Sequence, residues 1–183
     1  MKPFLIIRFL HAGLLVFGLL AWLTGEWAES YRYPRHLGFT FHSWLGMGLS
    51  LFILMRLGYG TMGPAHVRFS QFFPSTAERW QLIWKDCQRL IALQLPTSFT
   101  HQGLLGFIKG CGLILFSWMA VTGSLMFFLL EPGKVAKGQI HMVMELHEVG
   151  ESLIPLYLFL HVGGVVFYAL KGRDIWRKMF FLS

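Results

Sequence analysis

The chain has 183 residues, of which 55% are apolar and 14% charged, with a formal net charge of +7. Soluble domains average about 25% charged residues. Here the charges gather between long uncharged stretches, which excludes an ordinary soluble enzyme, because a charge at mid-bilayer costs roughly 2.5–3.5 kcal/mol. The basic excess sits at the ends of apolar segments, not in a patch interleaved with stacking aromatics. It therefore points to membrane orientation and leaves out nucleic acid as a partner.

A helix needs about 20 apolar residues to cross the hydrocarbon core, and four segments supply them, at about 3–24, 37–56, 103–130 and 142–170. The first, from Pro3 to Thr24, is interrupted only by Arg8 and His11. It lacks a small-residue cleavage site after a short apolar core, so a retained helix is expected. The second runs from Leu37 to Met55 and stops at Arg56. In the link that follows, Ser75 and Glu78 stand at capping-box spacing. Beyond them Trp80, Ile83, Trp84, Cys87, Leu90 and Ile91 recur at helical spacing opposite Arg79, Asp86 and Arg89. An amphipathic helix is expected there, either lying in the membrane interface or packed on the bundle. The third span runs from Gly103 to Leu130, with Lys109 near its start and Glu131-Pro132-Gly133 as its stop. The fourth runs from about Met142 to Leu170 and ends at Lys171-Gly172-Arg173; Glu145, Glu148 and Glu151 put its first turns beyond the core. The expected fold is all-α, an integral membrane four-helix bundle forming one domain over residues 1–183.

Lysine and arginine counts orient the spans. The N-terminal flank, the link between the second and third spans with adjoining Lys109, and the C-terminus hold twelve of the sixteen basic residues. The other two loops hold Arg32, Arg35, Lys134 and Lys137, together with six of the nine acids. Both termini are expected in the cytoplasm. Cys87 and Cys111 form no Cys-x-x-Cys pair, which excludes c-type haem attachment and speaks against a structural zinc site.

Four of the eight histidines, His36, His66, His101 and His141, lie at or beyond the span edges and read as interfacial polar residues. His11, His42, His147 and His161 lie within the spans, where an ionisable residue is a functional hypothesis by default. His147 and His161 are fourteen residues apart, close to four turns, so both face one way about 21 Å apart along the axis. Depth then pairs His42 with His147 near the outer surface and His11 with His161 near the cytoplasm. Two neutral imidazoles fill both axial positions of a haem iron, an arrangement suited to electron transfer. Bare zinc ions are an alternative occupant, although two imidazoles leave zinc short of its usual three or four protein ligands. Gly13, Gly18, Gly46, Gly163 and Gly164 would give a macrocycle room, or else serve close helix packing.

Several stretches resemble the bacterial cytochrome b561 family, most of all its branch of cytochrome b subunits of nickel-iron hydrogenases. They are Arg8-Phe9-Leu10-His11, Phe41-His42-Ser43-Trp44-Leu45-Gly46, and Arg56-Leu57-Gly58-Tyr59-Gly60 with Gly63-Pro64-Ala65-His66-Val67-Arg68-Phe69 after it. Glu145-Leu146-His147-Glu148 and Leu160-His161-Val162-Gly163 continue the similarity, in order, over nearly the whole chain. Ala12 stands where the family often has an aromatic, and Thr100-His101-Gln102-Gly103 where it often has Gly-His-Asn-Pro, so no role is carried to His101. The resemblance implies two b haems ligated by His11, His42, His147 and His161, in a bacterial inner membrane. It also implies quinone as substrate, and a periplasmic redox protein, c-type cytochrome or hydrogenase-like subunit as partner. Arg8, one turn before His11, is a candidate partner for a haem propionate.

Three functions follow. The favoured one is an electron-transfer subunit linking a periplasmic redox partner to the quinone pool. A second is a self-contained quinone-linked enzyme such as a superoxide oxidase, against which the acidic balance of the outer loops weighs. A third is a haem-free membrane scaffold or transporter.

Overall fold

A computed structural model describes residues 3–28, 36–96, 102–130, 136–173 and 175–180. Among these residues all regular structure is helical: α1 (Pro3–Leu23), α2 (Gly25–Ala28), α3 (Leu37–Met62), α4 (Ala77–Ile91), α5 (Leu104–Leu129) and α6 (Gln139–Leu170). Short 3-10 turns occur at Ala65–Val67, Phe69–Gln71 and Ile175–Lys178. α1, α3, α5 and α6 are each long and apolar enough to cross a membrane. Large apolar side chains such as Leu54, Phe128 and Phe159 remain on their outside. A soluble surface rarely carries that much contiguous apolar area, whereas lipid tails solvate it. The expected Glu131-Pro132-Gly133 stop, Arg32, Arg35 and His101 lie outside the described residues.

Two boundaries differ from the expected ones, because the end of an apolar span is not the end of a helix. α3 therefore continues past Arg56 to Met62 and stops at Gly63-Pro64, where proline disfavours a helical conformation in the residue before it. α6 likewise starts at Gln139, before the span proper, after Gly138 in the left-handed region at φ 59°.

The chain forms two compact units, residues 1–56 with 115–154, and residues 57–114 with 155–183. In the first unit, α1 and α3 approach closely because Gly13 faces Phe52 and Gly48 faces Phe17. α3 and α5 are tied by Ser50 Oγ and Ser124 Oγ at 3.1 Å. α5 and α6 are tied by Trp118 Nε1, which donates to the Leu146 carbonyl at 3.0 Å. Small residues and interhelical hydrogen bonds hold helices together where lipid leaves no hydrophobic drive between them. Leu10, Leu49, Ile53, Met119, Met144 and Ile154 complete its buried interior.

In the second unit, α4 packs through buried Ile83 and Asp86, and Trp80 meets Phe107 edge-on at 5.5 Å. Gly112 makes room for the Tyr157 ring. The cap of α4 is Thr76, whose side chain accepts the Arg79 N–H at 3.4 Å, one residue later than the Ser75–Glu78 spacing suggests. Arg79 accounts for the shift: its guanidinium donates to the Ser70 and Gln71 carbonyls, each at 2.7 Å, and draws the first turn onto the preceding loop. Pro155 lies inside α6 between His147 and His161. It deprives the Glu151 carbonyl of its helical donor.

Candidate functional site

At the end of α1 the Ala21 carbonyl accepts from the Thr24 N–H at 3.2 Å and from the Thr24 hydroxyl at 3.0 Å. It is also met by His42, on the second turn of α3, whose Nδ1 donates to the same oxygen at 2.9 Å. Thr24 Oγ1 stands 3.5 Å from the same nitrogen. A carbonyl only accepts, so the hydrogen is on Nδ1, and Nε2 carries the lone pair.

His147 on α6 reaches the same state by another route. Its Nδ1 lies 2.7 Å from Thr122 Oγ1 on α5, a hydroxyl also within reach of the Trp118 carbonyl at 2.9 Å. With the hydroxyl hydrogen on that carbonyl, the oxygen accepts from Nδ1 and the lone pair is on Nε2. Gly123, beside Thr122, permits the ring's approach: a Cβ there would stand 3.2 Å from His147 Cε1.

The two rings face each other with centroids 6.2 Å apart and planes at 89°. An iron bound by both Nε2 atoms at about 2 Å would hold the centroids roughly 6 Å apart. The pair lines a cleft with about 670 Å³ of non-atom space, mouth included. Gly18, Gly46, Gly123 and Glu151 share that lining, and a Cβ on Gly46 would meet nothing within 4 Å. Among the described residues no three His, Cys, Asp or Glu side chains converge as a protein-held metal would need. Two imidazoles with fixed tautomers and glycines around them fit a haem better than a bare ion.

The other expected ligands are placed separately. His11 lies half-buried in α1, in the first unit, with Arg8 half-buried one turn before it. His161 lies in the second unit, its ring stacked on Tyr157 with centroids 5.5 Å apart and planes at 13°. Of the glycines, Gly46, Gly163 and Gly164 face open space, Gly18 meets Phe116 and Leu49 at ordinary contact distance, and Gly13 faces Phe52. Gly13 thus serves helix packing.

Two of the edge histidines have described contacts. His141 pairs with Glu145 at 3.2 Å on the exposed side of α6. His36 Nδ1 accepts the Phe39 N–H at 3.3 Å, ahead of the first turn of α3. Sequence reasoning missed Thr122, Gly123, the Ala21 carbonyl and Tyr157. The one available signal was spacing, since Tyr157 lies one turn before His161.

A family model described as prokaryotic cytochrome b561 matches residues 5–182. No curated protein and no solved structure matches the chain.

Proposed function

The chain belongs to the prokaryotic cytochrome b561 family, and on that premise we propose that it carries two bis-histidine b haems and passes electrons between a periplasmic redox partner and the membrane quinone pool. It is a multi-pass membrane b-type cytochrome of electron transfer. The single observation that supports two-histidine ligation is the pair His42 and His147, each with Nδ1 hydrogen-bonded and their ring centroids 6.2 Å apart. A b haem held in this way is a one-electron carrier with no open coordination position.

The chain's own residues do the rest. The Ala21 carbonyl and the Thr122 hydroxyl hold the imidazoles in one tautomer and raise their basicity, as the outer partners of metal-bound histidines do elsewhere. His11 and His161 are the proposed ligands of a second haem nearer the cytoplasm, from the fourteen-residue spacing of His147 and His161 and the depth of His11. Tyr157 keeps the His161 ring in one plane, and Arg8 is the proposed counter-charge to a propionate. The location is the bacterial inner membrane, with both termini in the cytoplasm.

Haem counting with reduced-minus-oxidised spectra tests this. The unaltered protein is expected to hold two b haems per chain, and His147→Ala and His161→Ala one each. Two bis-histidine haems surviving in either variant would overturn the pairing. A folded protein without a b-type signal would overturn the haem reading altogether. A purified chain that turned over superoxide with quinone unaided would replace the partner-coupled reading.

A further inference from the structure

The C-terminal end of α4 is closed by a leucine in a backbone conformation that favours glycine. α4 and α6 finish in the same hydrogen-bond pattern. In α6 the Arg173 N–H donates to Tyr168 O and the Gly172 N–H to Ala169 O. In α4 the Gln94 N–H donates to Arg89 O and the Leu93 N–H to Leu90 O. This closure needs one residue in the left-handed region, where glycine is at ease and other residues are strained. α6 uses Gly172 at φ 75°, whereas α4 uses Leu93 at φ 55°. Leu93 gains no packing in return, since its side chain is 68% exposed.

What surrounds Leu93 gives that exposed side chain a use. At 100° per residue, Trp80, Trp84 and Ile91 fall within an arc of about 40° on α4, and all three are exposed, Ile91 at 84%. The buried side chains of the helix, Ile83 and Asp86, fall on a different arc, and Trp80 keeps an edge contact with Phe107 at 5.5 Å. Next to the exposed apolar edge, Lys85, Gln88, Arg89, Ala92 and Gln94 line an open groove. Arg89 Nε donates to the Leu95 carbonyl at 2.8 Å, which fixes its guanidinium beside the groove. An apolar edge running into a cationic groove matches one occupant, an amphiphile with an anionic head.

We propose that the groove binds the phosphate of an anionic phospholipid. Lys85 and Arg89 hold the head, Gln88 and Gln94 flank it, and Trp84, Ile91 and Leu93 sit among the acyl chains. Leu93 is retained in a strained conformation because its side chain is part of the lipid contact. α4 thus lies on the membrane surface as an interfacial helix, one edge on its unit and the other in lipid.

Native mass spectrometry of the full-length protein in mild detergent, with dioleoyl phosphatidylglycerol or dioleoyl phosphatidylcholine added, tests the site. Phosphatidylglycerol is expected to be retained in preference to phosphatidylcholine. Lys85→Gln is expected to lower that retention about fivefold, the equivalent of one basic residue at an anionic surface. Arg89→Lys, which keeps the charge, is expected to retain most of it. Leu93→Gly should weaken retention of the anionic lipid while raising the thermal midpoint in detergent, a split that a merely structural leucine would not give. Equal retention of the two lipids, unchanged retention in Lys85→Gln, or displacement of the lipid by millimolar inorganic phosphate would each overturn the proposal.

Discussion

Thr122 has one hydroxyl hydrogen, and with it on the Trp118 carbonyl the oxygen accepts from His147. The direction of donation sets which nitrogen of His147 carries the lone pair. Thr122→Val keeps the shape and removes the acceptor, and partners of this kind are worth about 10–100-fold in metal affinity. Outer-haem retention on titration with a haem-scavenging apoprotein is expected to fall by that order, and Thr122→Ser is expected to restore it. An undiminished haem in Thr122→Val would mean that the imidazole is oriented by its packing alone. The histidines stood out in the sequence, because an ionisable group in an apolar run is a functional candidate by default. Thr122 and Gly123 did not, because small residues are ordinary furniture of helix contacts in membranes. The Ala21 carbonyl has no side-chain signature at all.

At the scale of elements, α4 shows what periodicity can and cannot tell. Its apolar stripe was readable, but Asp86 was assigned to the polar face opposite it. In the structure Asp86 is 1% exposed, and its Oδ2 accepts the Leu104 N–H at 3.1 Å. Leu104 is the first residue of α5, one of four whose amides have no partner within the helix. Asp86 therefore caps a helix to which it does not belong. Asp86→Ala is expected to destabilise the protein by about 1–2 kcal/mol, read as a lower thermal midpoint. Asp86→Asn, which keeps an acceptor oxygen, is expected to cost less. Equal midpoints for all three proteins would show that water caps α5 as well. A cap supplied across eighteen residues of chain is invisible to any pattern of three or four. The same holds for the split of the apolar stripe into a packed arc and an exposed arc, since both arcs are apolar and only a neighbour tells them apart.

At the scale of the whole molecule, sidedness is the property most open to measurement. With Cys111 replaced by Ser, Cys87 on α4 becomes the only thiol. Burial, and then the adjacent Asp86 carboxylate, raise its pKa above that of a free thiol. The thiolate is therefore scarce at neutral pH, and labelling should quicken about tenfold per pH unit below that pKa. A membrane-impermeant maleimide is expected to reach Cys87 in inverted vesicles and not in right-side-out spheroplasts. The opposite result would invert the topology drawn from the basic residues.

Sequence by itself determined the class of this protein. Length, apolar runs and charge placement give four membrane-crossing helices, and four histidines lie inside them. These are properties of single segments in a solvent that allows few solutions, so they survive without coordinates. Tertiary structure alone decided which partners the imidazole Nδ1 atoms meet, which glycine makes way for a ring and which for a neighbouring phenylalanine, and which edge of α4 is left exposed. Each of those depends on a donor, an acceptor or a van der Waals surface brought from another helix, and such partners are chosen by packing and not by any spacing along the chain.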